Sequence, residues 1–427
     1  MTARGLAYLD VRLTGGRLMT EPMPIPVVET DEVRSAVGEP WESAPAAQQP
    51  QWRAHSDYHR TCAQLRDSDP LVTPTELDTF RTWMAVVAGG QGQLLQLGDC
   101  AEGFHECTPA HTFAKIDMLR SLAVDLAART GGPVVPVGRL GGQFAKPRSR
   151  PTECYGGVEL PSFRGHMINS EIPTPSARQH DPRRMLWAYE ASAKVTRWLG
   201  IHRDRGTRPS SVPSGPWSSH EALVVDYEAS LIRRREDTGA AYLGSTHLPW
   251  LGERTRDPDG ANALLLAAVS NPVACKVGPA ADPVALVRLC GLLDPDREPG
   301  RLTLIPRMGR DPVSALTNVV VAVRRAGHPV VWLCDPMHGN TVTTRNGTKT
   351  RYLDDILAEV AGFRAVLERY DQHPGGLHLE VASSEVTECI GGRSVPNEDA
   401  LAYCYTSLCD PRLNPEQARQ VLKAWAQ

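Results

Sequence analysis

Four stretches of this 427-residue chain each end an apolar run with a different metal-ligand type: Cys100 in LLQLGDCAEGF, His338 in VVWLCDPMHGN, Glu380 in GLHLEVA and Asp410 in LCDPRLN. A thiolate, an imidazole and two carboxylates suit a borderline divalent ion such as Mn2+, Co2+, Fe2+ or Zn2+, and suit Mg2+ poorly. Taken singly, each has a plainer reading, since a lone Cys after a strand is usually core and an Asp-Pro is usually a turn. The company they keep argues otherwise. Arg139 closes PVVPVGR, Lys146, Arg148 and Ser149 follow in AKPRS, Arg254 and Arg256 sit in LGERTR, Lys276 in VACKVGP and Arg307 in LTLIPRMG. Burying an unpaired cation is costly, so several strand ends in Arg or Lys point to a polyanionic substrate. Arg offers planar bidentate donors to carboxylate and phosphate, and Lys a point charge.

Residues so far apart in sequence meet only if a closed fold gathers the strand ends. Candidate strands fall at 93–98, 133–138, near 211–219, 241–250, 272–277, 301–306, 329–334 and 376–382. Helices at 74–90, 111–130, 181–199, 219–236, 259–269, 282–293, 311–326, 352–370, 397–406 and 415–426 fill the gaps. Apolar runs alternating with helical periods imply a parallel sheet buried on both faces. Eight such units predict a TIM (β/α)8 barrel, whose active site lies at the carboxyl ends of the strands, where the ligands and cations fall. An open doubly wound sheet is the alternative, disfavoured because no glycine-rich dinucleotide or P-loop pattern follows a strand. Residues 1–50, rich in Pro, Glu and Ala, read as an N-terminal arm, and 51–427 as the barrel domain. The Pro/Ser-rich stretch at the third strand reads more naturally as a loop.

The net charge of −3 gives no reason to expect a nucleic acid or an anionic membrane surface. No run approaches the length of a membrane helix, and the N-terminus lacks a signal-peptide core. Ten cysteines without a CxxC pair read as reduced thiols in a cytoplasmic protein and exclude a zinc ribbon.

The motifs LLQLGDCAEGF, VGRLGGQFAKPRS, SFRGHMIN, SHEALVVDYE, WLGERTR, NPVACKVGP, GRLTLIPRMG, CDPMHGNT, VTECIGG and CDPRLN run in one order from about residue 45 to the C-terminus. Together they resemble the type II 3-deoxy-D-arabino-heptulosonate-7-phosphate (DAHP) synthases. The resemblance implies a TIM barrel that condenses phosphoenolpyruvate with erythrose 4-phosphate using a divalent metal, often Mn2+ or Co2+, in a homo-oligomer (dimer or higher). It implies metal ligation by Cys100, His338, Glu380 and Asp410. Phosphoenolpyruvate would meet Arg139, Glu253, Arg254, Lys276 and Arg307, with Trp250 as a wall. The aldose phosphate would meet Lys146, Arg148, Ser149 and Lys349. Catalytic roles would fall to Lys146, His338 and Arg254.

The chain departs from that pattern beside the site. His166 and Ser170 stand in RGHMINS where the family has Asp and Gly, Pro306 precedes Arg307 where Ser is usual, and Ala382-Ser383 replaces Thr-Gly. His166 would place an imidazole near the entering phosphate, which motivates a second reading: the same chemistry on another aldose phosphate or an amino-sugar analogue. A short Pro/Ser-rich link between Leu199 and Ser219 replaces a helical hairpin of the family's aromatic-amino-acid regulatory site. A non-catalytic paralogue is disfavoured by the presence of every ligand and cation.

Overall fold

Eight parallel strands follow one another around a closed barrel: β1 (Gln93–Gly98), β2 (Val134–Arg139), β3 (Trp217–Glu221), β4 (Leu248–Leu251), β5 (Val273–Val277), β6 (Leu302–Pro306), β7 (Val331–Cys334) and β8 (Pro374–Glu380). β8 closes on β1, with Gly98 opposite Glu380 at the seam. The computed structural model describes residues 39–204 (backbone alone for 201–204), 213, 215–311, 313–407 and 409–427. Residues 1–38, most of the arm expected from sequence, lie outside the described residues. Of the rest of the arm, the short helix Pro40–Ser43 buries Trp41 against the barrel's outer core.

The strands read as continuous apolar runs because alternate side chains serve two different cores. One set, including Leu95, Leu97, Leu251, Cys275, Leu304, Trp332 and Leu379, points outward to the helices. The other set, Leu94, Val135, Val137, Trp217, Leu248, Ala274, Ile305 and Leu333, fills the interior. There it meets Phe80, Met84 and Val87 of α1 (Pro74–Ala88). This helix starts with a capping box, in which Thr73 accepts from the Glu76 N–H and Glu76 accepts from the Thr73 N–H, and it has Pro74 in its first turn. α1 plugs the amino-terminal mouth. Each large side chain buried there contributes roughly 1.5–3 kcal/mol, which leaves the opposite mouth for chemistry.

Seven further helices are α2 (Pro109–Thr130), α3 (Arg184–Asp204), α4 (Val225–Ser230), α5 (Ala261–Ala267), α6 (Pro283–Leu293), α7 (Val313–Ala326) and α8 (Leu353–Arg369). After β8, α9 (Pro415–Trp425) packs against α8 and α2 and so completes the outer ring. No helix among the described residues is long and apolar enough to cross a membrane.

Local structure departs from the sequence reading in five places. The helix expected over 219–236 is instead the end of β3, the six-residue α4 and a strand Ile232–Arg234. That strand pairs with Ala241–Leu243 in a hairpin outside the barrel, so the strand expected over 241–250 is two separate pieces. The break falls at Gly244, whose carbonyl accepts from Leu71 and Val72 and whose N–H reaches Leu231. At 397–406 only a 3-10 turn, Glu398–Ala402, forms. A hairpin not foreseen, Thr152–Tyr155 with Val158–Pro161, turns at Gly156-Gly157 with φ of 57° and 81°. Two positive φ values in a two-residue turn are a glycine requirement. The third strand was expected near 211–219 and is found at 217–221; 205–212 and 214 lie outside the described residues.

Candidate active site

At the carboxyl mouth a cavity of about 480 Å³ is lined by Cys100, Arg139, Lys146, Arg148, Ser149, Trp250, Glu253, Arg254, Lys276, Arg307, His338, Lys349 and Asp410. These are all the site residues expected from sequence except Glu380, which sits fully buried at the end of β8. Period-two geometry places them. Arg139, Trp250, Lys276 and Glu380 are inward positions on β2, β4, β5 and β8, and Arg307 directly follows β6.

Ligand atoms of Cys100, His338, Glu380 and Asp410 all lie within 4.8 Å of one another. His338 Nε2 is 3.0 Å from Glu380 Oε1, and the Cys100 thiol donates to Asp410 Oδ2 at 3.1 Å. The His338 Nδ1 is turned away and bonds Asp335 Oδ2 at 2.8 Å, which fixes the ring with Nε2 facing the cluster. The site calls for a cation. Burial, reinforced by Asp410 and Glu380, pushes the Cys100 thiol well above its ordinary value, and a bound divalent ion reverses that preference. The Lys146 ammonium reaches into the same cluster, bonding Cys100 Sγ and, at 2.7 Å, Asp410 Oδ2. A thiol, an imidazole and two carboxylates around a point already attractive to positive charge fit a borderline divalent metal.

The segment bearing Asp410 is held by buried charges. Asp99, at the end of β1, pairs with Lys115 at 2.6 Å and with Arg412 at 2.8 Å, and Arg412 also pairs with Glu388 at 2.8 Å. Lys349 meets Asp410 Oδ1 at 3.0 Å, and Arg148 meets Glu153 at 2.9 Å. Glu253 accepts from the Gly278 N–H at 2.6 Å and from Arg256 at 3.0 Å, tying the loop after β4 to the loop after β5.

The cations differ in how far protein groups satisfy them. Arg139 contacts Glu380 at 3.3 Å and lies 5.3 Å above the Trp250 ring, and Lys276 pairs with Asp335. Burial lowers Lys276 to about 8, against the opposing pull of Asp335. Among the described residues Arg307 donates only to the His338 carbonyl, at 3.1 Å, and its buried Nε has no partner. Arg254 is exposed to the cavity with no carboxylate partner among the described residues. Unmatched guanidinium donors at a closed wall are suited to phosphate and carboxylate oxygens.

Four functional groups escaped the sequence reading. Asp335 and His378 lie on the inner wall, and His378 Nε2 accepts from Arg139 at 3.2 Å while its Nδ1 bonds Gln96 at 2.6 Å. Fully buried Arg351 meets Glu380 Oε2 at 2.7 Å. Glu221, which falls within the helix expected over 219–236, instead ends β3 and faces the cavity. Among the described residues its buried Oε1 has no hydrogen-bond partner, and burial raises the carboxyl to about 7 although Lys276 and Arg139 pull it down. The useful signal for His378 and Glu380 is their i, i+2 spacing, which puts both on one strand face.

His166 does not approach the cavity. Its ring is buried among Phe104 and Phe163, bonded to the Glu102 carbonyl at 3.2 Å and to Glu171 at 2.9 Å. The expectation that it sits beside an entering phosphate is corrected accordingly.

Comparison with known proteins agrees with this architecture. The class-II DAHP synthetase family matches residues 37–211 and 200–424. A "Probable phospho-2-dehydro-3-deoxyheptonate aldolase" of Pseudomonas fluorescens is 45% identical over 381 residues, covering 89% of this chain and 94% of that protein. A phospho-2-dehydro-3-deoxyheptonate aldolase of Streptomyces coelicolor is 38% identical over 427 positions (90% and 95% covered). The corresponding aldolase AroG of Mycolicibacterium smegmatis is 38% identical over 448 positions (93% and 95%). The last alignment is longer than this entire chain, so that relative carries segments absent here. The chain belongs to the class-II DAHP synthetase family.

Proposed function

We propose that this protein condenses phosphoenolpyruvate with erythrose 4-phosphate, giving DAHP and inorganic phosphate, the step that opens the shikimate pathway. The observation that carries the reading is the meeting, in one cavity, of a four-residue cation site with a wall of guanidinium and ammonium groups that protein carboxylates only partly satisfy.

Arg139, Arg254, Lys276 and Arg307 hold the phosphate and carboxylate of phosphoenolpyruvate, with the Trp250 ring as a flat wall beneath Arg139. Lys146, Arg148, Ser149 and Lys349 hold the aldose phosphate. Fixing both partners converts an encounter into a positioned reaction. Cys100, His338, Glu380 and Asp410 would hold a divalent cation, Mn2+ or Co2+ in this reading, which would supply Lewis-acid polarisation of the aldehyde oxygen. C3 of phosphoenolpyruvate bonds to the aldehyde carbon, water adds at C2, and phosphate leaves with its bridging oxygen.

Two protons must move besides the C2 hydroxyl proton, which the departing phosphate carries away as the ketone forms. Glu221, with an unpaired oxygen and a carboxyl near 7, is suited to take one from the adding water. The other goes to the aldehyde oxygen. Both His338 nitrogens are committed, one to Asp335 and one to the ligand cluster, which leaves Lys146 as the donor. The test is metal-stripped protein reconstituted with Mn2+ or Co2+ and assayed with phosphoenolpyruvate and a panel of aldehydes. Metal-dependent phosphate release with erythrose 4-phosphate supports the assignment; turnover confined to another aldose phosphate overturns it.

A further inference from the structure

The loop that carries Lys146, Arg148 and Ser149 has no helix or strand of its own, so its backbone must be held from outside. Two of its N–H groups are. The Lys146 N–H donates to the Arg164 carbonyl at 2.9 Å, and the Arg148 N–H donates to the side-chain oxygen of Gln48 at 3.0 Å. Gln48 belongs to the segment that precedes the barrel. The Arg164 guanidinium closes the ring by donating to the backbone carbonyls of both Gln48 and Gln49.

The neighbouring glutamine pins this segment to the barrel. Gln49 Nε2 donates to the Leu223 carbonyl at 2.8 Å, and its Oε1 accepts from the Val225 N–H at 3.0 Å, just beyond β3. Asp226 adds three bonds, accepting from the Trp52 indole, from Arg53 and from the Tyr58 hydroxyl, each at 2.9 Å. Between the pin and the loop, Gln48 has a φ of 60°. That left-handed conformation turns one glutamine to the barrel and the other to the loop. A glutamine there carries strain that glycine would not, and only its contacts offset it.

We propose that Gln48 is a positioning residue for the aldose-phosphate half of the site, acting through the backbone N–H of Arg148. This rests on the assignment of Lys146, Arg148 and Ser149 to the aldose phosphate. The other half of the site is built on the ends of β2, β4, β5 and β6, which this segment's side-chain bonds do not reach. The two substrates therefore respond differently when Gln48 changes.

Steady-state kinetics of Gln48→Gly, Gln48→Glu and Arg148→Ala in the full chain test this. Glycine accepts the left-handed φ, so Gln48→Gly removes the acceptor without adding strain. The expected result is a rise of about three- to tenfold in KM for erythrose 4-phosphate, the worth of one hydrogen bond, with KM for phosphoenolpyruvate and the unfolding midpoint unchanged. Gln48→Glu, which keeps an acceptor at the same reach, restores the native KM. Equal shifts in both KM values, or none, overturn the role given to Gln48. Arg148→Ala separates the two levels of the argument. If it raises KM for erythrose 4-phosphate while Gln48→Gly does not, only the positioning role falls. If Arg148→Ala leaves that KM unchanged, the aldose-phosphate assignment itself falls, and the proposal with it.

Discussion

Asp335 Oδ2 lies 2.8 Å from His338 Nδ1 and is also the oxygen that meets Lys276 Nζ, so one buried carboxylate joins the cation-binding cluster to the anion-binding wall. Burial alone would push this carboxyl up, yet His338 and Lys276 hold it well below the usual range. Asp335→Asn keeps the shape and removes the charge. Metal affinity falls about 10- to 100-fold, as read by titrating Mn2+ into stripped protein, and KM for phosphoenolpyruvate rises in the same variant. A change in only one of the two measurements would show that the sites are not joined through this residue.

Glu221 and Lys276 set a narrow pH window. Glu221, raised from 4.5 to about 7 by burial, becomes a base only as pH rises through 7. Lys276, lowered from 10.5 to about 8, keeps its charge only below 8. The profile of kcat/KM should therefore rise through about 7 and fall above about 8. Glu221→Gln removes the acidic limb and lowers the rate about 10²- to 10⁴-fold. Its stability changes in the opposite sense. A carboxyl whose folded value lies above its unfolded one opposes folding from about pH 4.5 upward and fully above 7. Glu221→Gln should thus melt higher than the native protein at pH 8 and equally at pH 4.

Arg254 and Arg351 test which cations serve substrate and which serve the fold. Arg254 is exposed and lacks a carboxylate partner among the described residues, so Arg254→Ala should leave the unfolding midpoint in place and raise KM for phosphoenolpyruvate about 10- to 100-fold. Arg351 is fully buried against Glu380. Arg351→Ala leaves the buried Glu380 carboxylate with Arg139 and His338 but removes its shortest ion pair, and should cost about 3 kcal/mol of stability, measured by denaturant unfolding.

The short link between Leu199 and Ser219 leads to an expectation about regulation. Residues 205–212 and 214 of it lie outside the described residues; on the sequence reading that this stretch replaces the helical hairpin implied by the family resemblance, tryptophan and phenylalanine should leave the initial rate unchanged. Inhibition of the purified enzyme by either amino acid would contradict this.

The barrel was legible where burial imposed a pattern. Strands such as Val273–Val277 and Leu302–Pro306 are apolar on both faces, and the cation ending each one has no reason to be there unless it faces a site. Glu221 was hidden because β3 emerges from a Pro/Ser-rich stretch and the following LVVDYEASLIRRRED has helical composition throughout. Tertiary bonds to Asp226 and the hairpin at Ile232–Arg234 override that preference. Asp335 was hidden by resemblance to an ordinary Asp-Pro turn, although its placement three residues before His338 is the spacing of a carboxylate that orients a ligating imidazole. The Gly156-Gly157 turn was a readable hairpin signal between short β-prone segments. Gln48 left no trace, because nothing local distinguishes a glutamine that grips a loop about 100 residues away.

Gly98 pairs with Glu380 where the last strand joins the first, and Cys100 lies two residues beyond that junction. A ribosome must therefore deliver nearly the whole polypeptide before the ring can shut, and β1 waits with an open edge until then. An ion held in part by Cys100 and Glu380 would fasten the join like a buckle, so that only a finished ring would be loaded.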